Sequence, residues 1–199
     1  GSGALWLPVL FFLPVAPPFP FAVGPDAPLL RRAGGGMVWV AALLAALLPI
    51  DRLIRPDKDM GVLDQLAVRG FADEVVAAVK IAAHAIGFGL PLMIALFPAS
   101  ALLAQDASRV ELLATGIAIA IPALASLAVL SASLTANHKG GSAIGGLLVL
   151  PLAIPMLIFG AGMLDPSGRG AVKLLAATSL LLTVIGPFAA GAALRGLRE

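Results

Sequence analysis

The sequence predicts an all-α integral membrane protein with six transmembrane helices in a single domain that covers residues 1–199. Hydrophobic residues make up 60% of the chain, charged residues only 12%, and the mean hydropathy is +1.03. An ordinary soluble domain carries about 25% charged residues. Lipid is therefore the expected solvent for most of the chain, and lipid requires helices whose backbone groups are satisfied internally.

Six charge-poor stretches are long enough to cross a bilayer, which needs about 20 apolar residues in a helix. His84 is the only ionisable residue within any of them. The first stretch contains five prolines, so we expect a helix that is broken near Pro17 and Pro18. The predicted spans are residues 4–23, 33–50, 81–104, 112–136, 140–164 and 174–194.

The loops between these spans alternate between two sides, and their basic residues are distributed unequally. Because cytoplasmic loops carry an excess of Lys and Arg, the richer side is predicted to be cytoplasmic. Six spans then place both termini in the cytoplasm. The richer side carries Arg52, Arg55, Lys58, Arg69, Lys80, Lys139, Arg195 and Arg198, and the other side carries Arg31, Arg32, Arg109, Arg169 and Lys173.

The only long loop, residues 51–79, lies on the predicted cytoplasmic side. Its last part, residues 71–80, has an acidic start and a basic end, which is the charge order that a helix dipole favours. We interpret the loop as one or two short amphipathic helices at the membrane surface. Such helices either lie on lipid or dock into the groove of a partner.

Several kinds of chemistry are missing from the sequence. Cysteine is absent, which excludes disulfides, thiolate metal sites and cysteine nucleophiles. There is no Gly-Lys dipeptide, hence no Walker A loop, and neither H-E-x-x-H nor G-x-S-x-G occurs. The predicted spans contain no Asp or Glu, which ion-driven transporters usually bury. We expect no catalytic residues and no metal site, and any transport must be driven by a separate subunit.

The two histidines allow different interpretations. His84, near the cytoplasmic end of the third span, could be a haem axial ligand or a proton-sensitive contact. We favour the alternative, a packed histidine that bonds to a neighbouring helix. His138 stands beside Lys139 in a loop, where a solvated side chain is expected.

Arg31 and Arg32, followed by glycines at 34–36, could form a small anion patch on the outer side, suited to a haem propionate. We favour a flexible entry to a helix, flanked by arginines whose charged ends reach the interface. Trp39 is either an interface anchor or part of the core. Gly141 and Gly145 form a GxxxG pair, for which we favour packing within the chain over a dimer contact.

Five strings of the sequence together resemble, in order, the haem exporter protein B family (CcmB), the permease subunit of the cytochrome c maturation ABC transporter. The strings run from the first span to the C-terminus. They are FPFAVGPD at 19–26, VWVAALLA at 38–45, LVLPLAIP at 148–155, IFG at 158–160 and PFAAGAALR at 187–195.

The long loop is similar to the loop of that family, which faces the ATPase subunit. Pro56, Met60 and Ala85 depart from the family pattern, which has an acidic residue, an aspartate and a tryptophan there. The resemblance implies docking contacts with an ATPase at Asp51, Arg52, Arg55, Asp57, Gly61, Leu63, Asp64, Gln65 and Leu66.

The resemblance also implies a fold, a location and partners. The chain would be a type 2 ABC exporter permease of the bacterial inner membrane that acts in a pair of permease subunits. It would work with a separate ATPase and with haem-handling subunits C and D. The complex would use ATP to support haem delivery to the periplasmic haem chaperone, with haem as a transported or handled ligand. A permease for another substrate and a membrane scaffold that transports nothing remain as alternatives.

Overall fold

The structure, a computed structural model, describes residues 18–24, 26–137, 141–165, 167–168 and 170–198. These residues form helices joined by short connections, and no β-strand occurs among them. The helices are α1 (Pro18–Val23), α2 (Ala27–Leu47), α3 (Ile50–Leu53), α4 (Arg55–Asp59), α5 (Val62–Val68), α6 (Asp73–Leu102), α7 (Ala107–Thr135), α8 (Gly141–Gly162) and α9 (Ala171–Arg195).

Within the described residues, four helical stretches are long and apolar enough to cross a membrane, by length and composition. The all-helical membrane class is therefore confirmed, whereas the number of six spans stays a prediction. A shorter apolar stretch, Val149–Gly162, lies within α8. Most of the first predicted span, together with His138 and Lys139, lies outside the described residues. The four stretches are Pro28–Asp59, Asp73–Leu102, Ala107–Thr135 and Ala171–Arg195.

Helix α2 begins earlier than the sequence pattern predicted. The side chain of Asp26 accepts a hydrogen bond from the N–H of Leu29 at 3.1 Å, which caps the helix at its N-terminus. Pro28 fits the first turn, where the missing N–H has no helical partner to lose. The expectation of a flexible entry at residues 34–36 is wrong, because all three glycines lie inside α2.

Asp106 begins α7 in the same way. Its carboxylate accepts hydrogen bonds from the Ser108 hydroxyl at 2.7 Å and from the N–H of Arg109 at 2.9 Å. These two bonds, in that order, hold the pKa of Asp106 below its ordinary value. The cap satisfies a backbone donor that the first turn of a helix leaves without a partner.

Helix α7 occupies the centre of the bundle, where it contacts α2, α3, α6, α8 and α9. Its buried face is built largely from alanines such as Ala120, Ala123 and Ala128. Small residues let neighbouring helices approach closely in a membrane, where packing replaces the hydrophobic effect as the force between helices. Large apolar side chains instead point outward from the peripheral helices α6 and α9, for example Phe97 and Phe188.

Trp39 belongs to the core and does not form an interface anchor. Its indole is only 2% exposed and lies against Gly116 of α7 and Gly160 of α8. Gly145, the second glycine of the GxxxG pair, similarly packs against Ser131 and Thr135 of α7. The contact of Gly145 agrees with packing within the chain.

The ends of the helices collect on two opposite faces. The loop face consists of α3–α5, the start of α6 and the ends of α7 and α9. The arginine face consists of Arg31, Arg32, the α6–α7 connection and the α8–α9 connection. Contacts join the members of each face, such as Lys58 with Asn137 on the loop face and Arg109 with the carbonyl of Arg31 on the arginine face.

We predict that Gly116→Val destabilises the fold while Gly36→Val does not. A Cβ atom at Gly116 would lie 2.5 Å from Sδ of Met163 and 2.9 Å from Cζ2 of Trp39, whereas one at Gly36 would meet nothing within 4 Å. Overpacking of this kind costs about 1–3 kcal/mol. Thermal unfolding of the two purified variants in detergent measures the difference. Equal melting temperatures would contradict the packing described.

Candidate functional site

The membrane helix α2 breaks where the long loop begins. Helix α2 ends at Leu47 and α3 begins at Ile50, with Pro49 between them. Since proline has no N–H, Pro49 cannot donate to the carbonyl four residues earlier, and the last carbonyls of α2 lose their helical partners. Groups from another element must satisfy these carbonyls, because lipid offers no donors.

His84 of α6 supplies one of the missing donors. Its Nε2 lies 2.9 Å from the carbonyl oxygen of Ala46, and because a carbonyl only accepts, this nitrogen carries the hydrogen. The ring is buried and packs on Phe88 with 4.8 Å between ring centroids. This geometry agrees with a packed histidine that bonds to a neighbouring helix. Ligation of a haem iron through Nε2 would require this bond to break.

Lys80 binds the loop one helical turn before His84. Its ammonium group donates to the carbonyl of Leu53 at 3.0 Å, which is the C-terminal residue of α3. The same group forms an ion pair with Asp57 of α4. Residues four apart lie on one face of a helix. Lys80 and His84 therefore hold the ends of α2 and α3, and the start of the loop, on one face of α6.

The C-terminal end of α9 holds the start of α6 in a similar way. The guanidinium of Arg198 donates to both carboxylate oxygens of Asp73, at 2.7 and 2.5 Å, and Arg195 pairs with Glu74. The pKa of Arg198 is raised above its ordinary value by its hydrogen bonds to Asp73. Gly191 allows this close approach, because a Cβ atom there would lie 2.8 Å from the backbone nitrogen of Glu74.

The structure divides the predicted docking residues into an outer and an inner group. The side chains that face away from the bundle and are exposed are Asp51, Arg52, Asp64 and Gln65. Arg55, Asp57, Gly61 and Leu66 are partly buried, and Leu63 is buried in the core. Asp57 and Leu63 therefore attach the loop to the bundle, and the outer group remains exposed.

Gly61 shapes this surface through its backbone. It lies between α4 and α5 with φ +70°, a left-handed conformation that other residues adopt only with strain. The turn lets α5 fold back so that Leu63 enters the core. A substitution at Gly61 would thus change the direction of α5.

The exposed part of the loop also includes large apolar residues that the sequence analysis did not single out. Met60, Val68 and Phe71 are 65%, 89% and 52% exposed. They lie beside the exposed charges of α4 and α5. An apolar centre with a polar rim is the ordinary composition of a protein interface. The available signal in the sequence was a set of large apolar residues within a loop that is otherwise polar.

No group of three or more His, Asp or Glu side chains able to hold a metal ion occurs among the residues that the structure describes. The arginine face contains a crevice between α2, α7 and the α8–α9 connection, lined in part by Arg32 and Arg109. In the described part of the chain, the two arrangements of polar groups that stand out are thus the exposed part of the loop on one face and this crevice on the other.

We predict that His84→Leu lowers the thermal stability of the protein more than His84→Gln. The leucine leaves the buried carbonyl of Ala46 without its donor, a loss of about 1–3 kcal/mol. Glutamine keeps an N–H donor at a comparable distance from the backbone. Melting temperatures in detergent compare the two variants. An unchanged melting temperature in His84→Leu would show that the bond does not hold the break.

Comparison with known proteins gives a consistent result along the whole chain. A family model described as CcmB protein matches residues 1–196. Heme exporter protein B of Bradyrhizobium diazoefficiens is 42% identical over 98% of this chain and 90% of its own length. The proteins of that name from Rhodobacter capsulatus and Escherichia coli are 37% and 36% identical, over 98% and 94% of this chain and 91% and 88% of their own lengths. With this agreement from end to end, the chain belongs to the CcmB family.

Proposed function

We propose that this chain is the membrane permease subunit of an ATP-driven ABC transporter that supports haem export in the biogenesis of c-type cytochromes. The relatives' name supports haem as the substrate. The observation that carries the proposal is the docking surface, a group of short helices fastened to the membrane bundle by Lys80 and His84. Such a surface can receive a partner on one side and pass its movement to the membrane helices on the other.

The partner at this surface is a separate ATPase subunit. The sequence has no Walker A loop, so the energy of ATP must come from another chain. The exposed Asp51, Arg52 and Asp64 carry charges of both signs, which favour an oriented contact. Met60 and Val68 add exposed apolar area to this surface. The docking surface therefore has both the charged groups and the apolar area that a stable contact between two subunits needs.

Movement of the docked ATPase would reach the membrane through α6. Asp57 of α4 pairs with Lys80 of α6, and the side chains are only 26% and 25% exposed, so water screens the pair less than one at the surface. Lys58 of α4 also bonds to Asn137 after α7. A displacement of α4 therefore pulls on α6 and on the end of α7 at the same time.

The permease is part of a larger assembly in the bacterial inner membrane. The loop face lies in the cytoplasm, as its eight basic residues favour, with both termini on that side of the bacterial inner membrane. The chain forms one transmembrane domain of six spans with the architecture of a type 2 exporter. It assembles as a pair of permease subunits, with the haem-handling subunits C and D and the periplasmic haem chaperone as its further partners.

We predict that Asp64→Lys weakens the association with the ATPase subunit, while Glu111→Lys does not. Both residues are exposed acids, but Asp64 lies on the docking surface and Glu111 lies near the start of α7 on the opposite face. Charge reversal in the rim of an interface removes attraction and adds repulsion. Co-purification of the ATPase with each tagged variant measures the effect. Equal recovery with both variants would place the contact elsewhere.

The function itself is tested by complementation. A bacterium without its own haem exporter B subunit receives this chain, and covalent haem in its c-type cytochromes is read by haem staining, beside a family member as the positive control. We expect restored staining. Asp57→Leu, which removes the partner of Lys80, should reduce it even when the variant is present in the membrane and retains the ATPase. Absent staining with a membrane-inserted wild-type chain would favour a different substrate or a scaffold role.

A further inference from the structure

A crevice of about 430 Å³ opens on the arginine face, between the first turns of α2 and the end of α8. A second hollow of about 410 Å³ adjoins it and extends toward Ser108 and Val172. Arg109, Leu164 and Asp165 line both. The volume is in the range of about 300–1,000 Å³ in which proteins hold small ligands. None of the residues of this crevice contributes to the docking surface on the opposite face.

Two arginines give the crevice its positive charge. No hydrogen bond or ion pair joins Arg32 to any residue in the described part of the chain. Arg109 is held in place, because its guanidinium donates to the carbonyl of Arg31 at 2.6 Å. A guanidinium has five N–H donors, so this bond leaves Arg109 with further donors. An anion in the crevice would thus meet Arg109, which is held in place, and Arg32, whose side chain can turn toward it.

Asp165 adds a negative charge to the same crevice. Its Oδ1 accepts hydrogen bonds from the hydroxyl of Ser167 at 2.5 Å and from the N–H of Ser167 at 2.8 Å. These bonds hold the pKa of Asp165 below its ordinary value, so the group stays ionised at neutral pH. A carboxylate offers about four acceptor positions, more than these two bonds use. A simple anion would gain no attraction from Asp165, whereas a ligand that carries a positive as well as a negative group would also form an ion pair with it.

The remaining walls are apolar and lie at the edge of the predicted membrane span. Ala33 begins the second predicted span, and Ala161 and Leu164 end the fifth. Leu164 lies directly against Gly35 of α2, where any larger residue would displace it. The charged part of the crevice thus stands at the depth of lipid head groups, and its apolar part stands next to the acyl chains.

We propose that this crevice binds the head group of an aminophospholipid, with the phosphate held by Arg32 and Arg109 and the ammonium group held by Asp165. Arginine forms charge-assisted hydrogen bonds with phosphate, and a carboxylate forms them with an ammonium group. The proposal is independent of the proposed function.

The test uses the full-length protein, purified in detergent, and native mass spectrometry with phosphatidylethanolamine, phosphatidylglycerol or inorganic phosphate. The wild type should bind its first phosphatidylethanolamine more tightly than its first phosphatidylglycerol. Arg32→Gln should weaken both lipids by about two- to fivefold, as expected for an exposed charge pair. Because Arg32 makes no bond within the described residues, this variant should fold normally. Arg69→Gln, an exposed arginine on the loop face, is the charge-matched control.

Asp165→Asn separates the two halves of the proposal. Asparagine keeps an oxygen that accepts from Ser167, but it has no charge for an ammonium group. We expect this variant to bind both lipids equally. Unchanged affinities in Arg32→Gln, or an unchanged preference in Asp165→Asn, would overturn the proposal. Binding of inorganic phosphate as tight as that of the lipids would also overturn it, in favour of a site for a free anion.

Discussion

Two side chains of α6, Lys80 and His84, hold the break between a membrane helix and the loop that follows it. The rest of the loop face depends on this attachment. A proline break at the edge of the bilayer releases carbonyls that neither lipid nor the helix itself can satisfy. His84 satisfies one of these carbonyls, that of Ala46, while Lys80 bonds to the carbonyl of Leu53 at the end of α3. Because both donors stand on one face of α6, they also fix the position of the loop relative to the bundle.

Two hydrogen bonds connect α2 with α6 or with the residues just beyond it, one toward each face of the bundle. On the loop face His84 binds the carbonyl of Ala46, and on the arginine face the amide of Gln105, just beyond α6, donates to the carbonyl of Arg31 at 3.3 Å. The alanine-rich surface of α7 lies against both helices. These contacts link the start of the loop to α2, α6 and α7.

Much of this organisation could be predicted from the sequence, because segments that cross a lipid bilayer must be apolar and nearly free of charge. Four of the six charge-free stretches overlap the four long apolar helical stretches of the described residues, whereas the number of six spans and the side of the membrane stay predictions. The start of α2 was missed because Arg31 and Arg32 interrupt the apolar pattern, whereas Asp26 sets the boundary through a hydrogen bond. The roles of Asp57 and Leu63 could not be predicted from the sequence either. Both lie within a polar loop, and only the folded chain shows that one meets Lys80 and the other enters the core.

Site-specific cross-linking tests most directly whether the exposed part of the loop receives the ATPase. The chain contains no cysteine, so Gln65→Cys and Glu111→Cys each introduce a single reactive thiol, one on each face. Each variant is labelled with a photoactivatable reagent in the intact transporter complex. We expect a cross-link to the ATPase subunit from position 65 and none from position 111. A cross-link from position 111 alone would contradict this expectation.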